Sequence, residues 1–131
     1  MSARYKFLQA GKGVQVDCYG NLTSTELFNA NAAIFSDPKA AALQFQIIDL
    51  SDVESLEIPA EHLLKLAKDD RDHLQDNPQL KLAFVTNHDV VRSVVFMWRG
   101  HIKLNEEFVQ QFTSIQQAYE WLGYKQEAQS A

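Results

Sequence analysis

Polar side chains that could do chemistry follow three of the strands that the sequence predicts. Asp49 lies at the end of the third predicted strand, Asp52 follows that strand, and His88 comes after the fourth. In sheets of parallel strands, ligands bind beyond the carboxyl ends of the strands. The sequence therefore predicts a polar ligand site at this edge of the sheet. Its candidate residues are Asn21, Asp49, Ser51, Asp52, Asn87 and His88.

These residue types support two interpretations. A histidine oriented by a carboxylate can act as a general base, so His88 beside Asp52 would form an acid–base pair. The alternative is structural, because Asn and Asp cap helices and hold turns, as Asn87 and Asp89 would do for the following helix. Since function must be argued from a site and not from a generic sheet edge, we expect no enzyme.

The histidines and the cysteine do not predict a metal or cofactor site. The four histidines are widely spaced, and no His-x-x-x-His or mixed Cys/His cluster occurs. A protein zinc site needs such closely spaced ligands. Cys18 is the only cysteine, so we expect it to be a small buried apolar residue. The segment Gly11-Lys12-Gly13 lies between two predicted hairpin strands, whereas a phosphate-binding loop precedes a helix.

Composition narrows the class of protein further. The chain has 131 residues, of which 46% are hydrophobic and 22% charged, as in an ordinary globular domain. We expect one domain over residues 1–122 and a flexible tail over 123–131. A net charge of −5 would repel a phosphate backbone, so nucleic acid is not an expected partner.

The sequence also bears on localisation. No apolar segment approaches the roughly 20 residues that a membrane-spanning helix needs. The basic residues near the N-terminus are not followed by the apolar region of a signal peptide. With a single cysteine, no disulfide can form within the chain. We therefore expect a cytoplasmic protein without a transmembrane segment.

Hydrophobic periodicity predicts an α/β fold with about five strands and four helices. The predicted strands span residues 4–9, 13–19, 45–50, 80–86 and 107–112. The first predicted helix is capped by Thr23 or Ser24, and the second has Pro59 in its first turn. The third follows Asp89, and the fourth begins with a capping-box segment at Ser114. Strands that alternate with helices imply mainly parallel pairing with right-handed crossovers, and only the N-terminal hairpin must be antiparallel.

The third helix is predicted from the spacing of its apolar residues and not from their residue types. Its valines favour a strand. However, the apolar residues recur at i, i+3, i+4, i+7 and i+11, which is one face of a helix. This face consists of Val91, Val94, Val95, Trp98 and Ile102.

The opposite side of this helix carries a set that we name the basic–aromatic stripe, made up of Arg92, Phe96, Arg99 and Lys103. One interpretation is a contact surface for an acidic protein, a second copy of the chain or anionic lipid headgroups. The other is that the long arginine stems simply cover Phe96. Single exposed apolar residues are common and need no function.

Three segments together resemble the SpoIIAA-like family of STAS-type domains. They are Ile47 to Val53, Leu82 to Thr86, and Phe112 to Leu122 with its Ala-x-x-Trp-Leu ending. The resemblance implies a superhelical stack of β-α units, related in shape to Sec14-type lipid-binding domains, in a family of mostly small bacterial proteins. It implies a regulatory module that binds a protein partner or itself. The alternative is a binder of a small apolar or amphipathic, lipid-like ligand in a cavity between the sheet and the second and third helices.

One family feature is missing from this sequence. Anti-sigma-factor antagonists of the family carry a phosphorylatable serine in an Asp-Ser-Ser-Gly motif where the second helix begins. Here the same region reads Glu57-Ile58-Pro59-Ala60. The resemblance therefore does not carry the phosphorylation switch to this chain, and we do not transfer it to nearby Ser51 or Ser55.

Overall fold

A computed structural model describes residues 2–102 and 106–125. Its strands are β1 Ala3–Leu8, β2 Gly13–Thr23, β3 Phe45–Glu57, β4 Lys81–Val85 and β5 Val109–Phe112. Its helices are α1 Ser24–Ser36, α2 Ala60–Asp76, α3 Asp89–Ile102 and α4 Ile115–Leu122. The strands form one sheet in the order β1-β2-β3-β4-β5. β1 pairs with β2 in antiparallel fashion, and the other three pairs are parallel, which confirms the predicted fold class.

The predicted helix over the valine-rich segment is confirmed as α3. Val91, Val95, Trp98 and Ile102 are buried on one face. This face packs on the sheet, where the Trp98 and Phe84 rings lie 4.8 Å apart in an edge-to-face contact. Burial of four large side chains outweighs the modest helix-propensity cost of β-branched residues.

Two helix caps lie at residues where the sequence predicts that helices start. Thr23 caps α1 by accepting a 3.3 Å hydrogen bond from the Glu26 backbone N–H. Ser114 caps α4 in the same way through the Gln117 backbone N–H, also at 3.3 Å. The Gln117 side chain reaches back to the Thr113 backbone N–H at 3.1 Å, so side-chain acceptors pair two backbone donors at this terminus.

The two central strands are longer than predicted. The sequence predicts a second strand that ends at residue 19, before Gly20-Asn21, and a third that ends at Leu50. Instead, β2 and β3 stay paired as far as Thr23 and Glu57. Register shifts after Asp17 and after Gly20 let the ladder continue. Such bulges add a residue to one strand without ending the pairing, and here both extra residues lie in β3. Gly20 of β2, with φ of +63°, lies at the second shift.

The sheet separates two apolar layers. One layer packs α1, α2 and α3 on one face, and its core includes Val14, Ile34, Leu74, Leu82 and Trp98. The other packs α4 against Phe45, Ile47, Ala83 and Val85. No helix among the described residues is long and apolar enough to cross a membrane.

The smaller layer extends into the segment predicted to be a tail. Gly123 ends α4 with φ of +67°, and Tyr124 then turns back onto the sheet. Its ring lies 5.0 Å from the Tyr119 ring and 5.7 Å from the Phe45 ring, and it is buried. Residue 124 is therefore part of the packed core. Residues 126–131 lie outside the described part of the chain.

A close approach between Gly13 and Phe45 holds the paired starts of β2 and β3. A Cβ atom at position 13 would overlap the Phe45 ring. We expect Gly13→Ala to lower the free energy of unfolding by about 2 kcal/mol, because the ring must leave its packing between sheet and Tyr124. Denaturant unfolding measures this loss.

Gly100→Ala is the matched control. This exposed glycine of α3 has open space around its Cα, so alanine should raise the free energy of unfolding by about 0.5–1 kcal/mol. Adding Phe45→Leu to Gly13→Ala should recover part of the loss, since the two residues are in contact. Strict additivity of the two changes would contradict the proposed clash.

Candidate functional site

The six predicted edge residues do not come together in one site. Asn21 lies inside β2 and not after it, where it accepts a 2.7 Å hydrogen bond from the Ser55 hydroxyl and donates one of 3.0 Å to Glu57. Ser51 lies inside β3 and is exposed. Asn87 and His88 follow β4 and are also exposed. The longer strands explain the dispersal, because β2 and β3 run on past the end of β4.

Asp49 and Asp52 do share a polar cleft of about 380 Å³ on the α4 face of the sheet. A hydrogen-bond chain lines it: the Tyr119 hydroxyl donates to Gln15 Oε1 at 2.9 Å, and Gln15 Nε2 donates to Asp17 Oδ1 at 2.9 Å. Within the described residues, no group of three or more histidine, cysteine or carboxylate side chains could hold a metal ion. The cleft is an acidic, solvated surface without an ordered ligand set.

The proposed acid–base pair is not formed. Across the described chain, no hydrogen bond or ion pair joins the His88 and Asp52 side chains. The His88 backbone N–H instead donates to the Thr86 hydroxyl at 3.0 Å. Cys18 is buried, and burial raises the pKa of its thiol to about 12, with the Asp17 and Asp49 charges acting in the same direction. A thiol that stays protonated near neutral pH is a poor nucleophile.

A serine–histidine contact was not foreseen from the sequence. The Ser24 hydroxyl lies 2.7 Å from His62 Nδ1, and the Phe28 ring packs edge-on to the imidazole. Ser24 is buried, so a substrate could not reach its hydroxyl. The contact ties the first turn of α1 to the first turn of α2, which is a structural role.

The basic–aromatic stripe lies on the outer side of α3. The Phe96 side chain is 70% exposed, and Arg92, one turn before it, is exposed as well. Arg99 is partly buried. Lys103 lies outside the described residues. Val90 and Met97 are exposed on a different side of the helix. Each is separated from Phe96 by about 100–120° around the helix axis.

A cavity of about 100 Å³ lies between the sheet and α1, α2 and α3. Its wall is almost entirely apolar and includes Leu22, Ile48, Leu66, Phe84 and Val95. This is the location that the resemblance predicted for an apolar ligand, although the volume is well below the roughly 300 Å³ of a typical small-molecule site.

Asp70 is the chemically unusual residue of this cavity, and sequence reasoning missed it. Its Oδ1 accepts a hydrogen bond of 3.1 Å from Asn31 Nδ2, and its Oδ2 accepts one of 2.7 Å from Trp98 Nε1. Burial raises the pKa of this carboxyl to about 7, the Asp69 charge adds to the rise, and the Trp98 hydrogen bond opposes it. Its position in the sequence could have indicated burial. Asp70 lies three residues after Ala67 and four residues from Leu66 and Leu74, so it shares a helical face with these buried side chains.

The raised pKa predicts a pH-dependent stability. Between about pH 4 and pH 7 the folded protein holds the Asp70 proton while the unfolded chain has lost it, so folding is favoured at low pH and this contribution disappears as pH rises through 7. Relative to Asp70→Asn, wild type should lose about 1–2 kcal/mol of unfolding free energy from about pH 5 to pH 8. Urea unfolding of both proteins across this range measures the difference. Parallel profiles would contradict the assignment.

Comparison with known proteins adds the fold family but no activity. No family model matches the chain, and no curated protein matches it.

Solved structures do match over almost the whole chain. The phosphorylated Bacillus cell fate determinant SpoIIAA superposes with a TM-score of 0.63 at 12% identity, covering 92% of this chain and 99% of that one. The anti-sigma factor antagonist SpoIIAA in its unphosphorylated form gives 0.63 at 10% identity over 93% and 98%. An uncharacterized DUF3478 protein from Shewanella loihica gives 0.60 at 15% identity over 92% of each chain. This protein therefore has the SpoIIAA-like, STAS-type fold that its sequence resemblance predicts.

Proposed function

We propose that this protein is a non-catalytic STAS-type interaction module that binds an acidic protein partner through the basic–aromatic stripe on α3. The observation that carries the proposal is the 70% exposure of Phe96 beside the exposed Arg92. An aromatic side chain next to a guanidinium is the composition found at energetic centres of protein interfaces.

Exposed apolar area is concentrated on this helix. Five large hydrophobic side chains are exposed in the described part of the chain, and three of them, Val90, Phe96 and Met97, belong to α3. Phe96 is the most exposed of the five, and it is the one that lies beside Arg92, because Val90 and Met97 point to another side of the helix. Burying the Phe96 ring in a partner would contribute on the order of 2 kcal/mol.

Charge selects the class of partner. The protein has a net charge of −5, yet the described part of α3 carries Arg92 and Arg99 against the single carboxylate Asp89 at its start. A second copy bound through the same face would set one stripe against the other, since a two-fold interface pairs identical patches. An anionic membrane would be repelled by the net charge. A local acidic patch on a partner protein would face only the stripe, so it avoids the like-charge contact between two stripes and most of the repulsion by the net charge.

The comparisons support an interaction role through analogy of fold. One of the similar structures is described as an anti-sigma factor antagonist, which names a regulatory relation to another protein. In this chain α2 begins at Ala60 after Pro59, so no hydroxyl stands at that helix start. We therefore propose that this protein binds its partner without a phosphorylation switch at the start of α2. We also propose that it works in the cytoplasm.

The lipid-like alternative is less well supported. The apolar cavity measures about 100 Å³, and a lipid-sized ligand would require it to enlarge at least threefold. The lack of a formed His88 and Asp52 pair likewise weighs against the acid–base alternative.

Phe96→Asp tests the proposed surface. A photo-crosslinking amino acid at position 96, used in cells, should capture a specific acidic protein, whereas the same group at position 90 should not. Binding of the purified partner should then weaken at least tenfold in Phe96→Asp, because the change removes the aromatic anchor and adds a repelling charge. Isothermal titration calorimetry gives the affinity.

Val90→Asp is the matched control, since it adds the same charge to an exposed position on another side of the same helix. Its affinity should stay within about twofold of wild type. Equal losses in both variants, or a partner captured only at position 90, would show that the stripe is not the binding surface. A homodimer in sedimentation velocity that Phe96→Asp abolishes would replace the acidic partner with a second copy.

Arg92→Glu tests the charge argument separately. Association with the acidic partner should slow by about tenfold at low salt, because a rim charge mainly affects the encounter rate. The salt dependence of the association rate should weaken in parallel. Stopped-flow measurements at several ionic strengths check both effects, and an unchanged rate would contradict an acidic partner.

A further inference from the structure

The wall of the apolar cavity includes the side-chain amide of Gln46. Gln46 is 6% exposed and lines the cavity. Among the described residues, no group makes a hydrogen bond to its side chain. In the described chain the fully buried side-chain atoms without a hydrogen bond are Ser2 Oγ and Gln111 Oε1, so the Gln46 amide atoms stay accessible to water or to a ligand.

The cavity also contains a carboxylate without a cation. Asp70 accepts hydrogen bonds from the neutral Asn31 and Trp98 side chains, which fix the plane of its carboxyl group. In the part of the chain that the structure describes, the ion pair that forms is between the neighbouring Asp69 and Lys65. Among residues 2–102 and 106–125, no cation forms an ion pair with Asp70 that would balance its ionised form. A charge held in an apolar site is stable only when it is paired or neutralised.

The walls suit an organic cation. The Phe84 and Trp98 rings stand edge to face beside Asp70, and Phe35 lines the same cavity. Aromatic faces attract ammonium groups, most strongly away from water. The rest of the wall is aliphatic and would contact a hydrocarbon body.

Size limits the ligand. A 150 Å³ apolar cavity accommodates benzene, so about 100 Å³ holds roughly four or five non-hydrogen atoms. A ligand would enter where α1 meets α2. The lining residues there are only partly buried, namely Leu27, Asn31, Phe35, Asp70 and His73.

We infer that this cavity binds a small primary amine as its ammonium ion, with the N–H groups directed to the Asp70 carboxylate and the Gln46 carbonyl oxygen and the hydrocarbon part against the apolar wall. The ammonium group supplies both the missing charge and the missing hydrogen-bond donor. Water could satisfy Gln46 but would not balance Asp70. The site is separate from the stripe on α3, so either can fail without the other.

Isobutylammonium chloride is the probe, and isobutanol is its uncharged counterpart of the same shape. The indole N–H of Trp98 donates to Asp70, which makes its NMR signal a direct reporter. Trp121→Phe assigns that signal. We expect saturable shifts with a dissociation constant of about 1 mM for the ammonium ion near pH 8, and binding of isobutanol at least tenfold weaker.

Variants locate the contact. Asp70→Asn keeps the shape of the side chain and should weaken ammonium binding at least tenfold, whereas Asp69→Asn, which alters the neighbouring acid paired with Lys65, should stay within about twofold. Gln46→Leu should weaken binding about fivefold, since it removes one acceptor.

The proton should compete with the ammonium ion. The titratable groups near Asp70 are Asp69 and His73 on its own helix, while α1 and α3 present the neutral Asn31 and Trp98. Because the pKa of Asp70 is about 7, affinity should fall about tenfold from pH 8 to pH 6.

Two outcomes would overturn the inference. If isobutanol bound as tightly as isobutylammonium, or if Asp70→Asn bound isobutylammonium as tightly as wild type, the cavity would not recognise charge. No saturable shift of the Trp98 signal up to about 0.1 M of either probe would mean that the cavity holds only water.

Discussion

The parallel pairing of β2 with β3 is the constraint on which the rest of the structure depends. It runs from Gly13 opposite Phe45 to Thr23 opposite Glu57, through two bulges. Because side chains alternate across a strand, this register sends Val14 and Val16 to the three-helix face and Gln15 to the α4 face. A slip of one residue would exchange the two layers. The cavity and the polar cleft both take their walls from this single ladder.

The fold could be predicted where a residue pattern had only one physical solution. A helical spacing of buried side chains identified α3 in spite of its β-branched valines, and hydroxyl caps located the starts of α1 and α4. The ends of β2 and β3 could not be predicted, since Gly-Asn commonly marks a turn and here lies opposite a bulge of β3. Whether a glycine ends a strand depends on the partner strand, which local sequence does not specify.

The candidate sites also differ in whether local sequence was enough to predict them. Exposure of Phe96 follows directly from helical geometry once Trp98 is known to be buried, so the stripe could be proposed from the sequence. Grouping Asn21 with Asp49 failed because it relied on the predicted strand ends. Asp70 was missed for another reason: a carboxylate among leucines can be solvated at a helix edge or enclosed by neighbours. Only the positions of Asn31 and Trp98 on two other helices distinguish these cases.

The Asp70 carboxyl is also a junction, since one group on α2 holds side chains from both α1 and α3. The helix that carries Phe96 itself forms part of the cavity wall through Val95 and Trp98, and its Trp98 indole is hydrogen-bonded to this carboxyl. Whatever alters the charge of that carboxyl acts on both neighbouring helices at once. If α3 shifts in response, occupancy of the interior and affinity at the outer surface change each other by the same factor, as thermodynamic reciprocity requires.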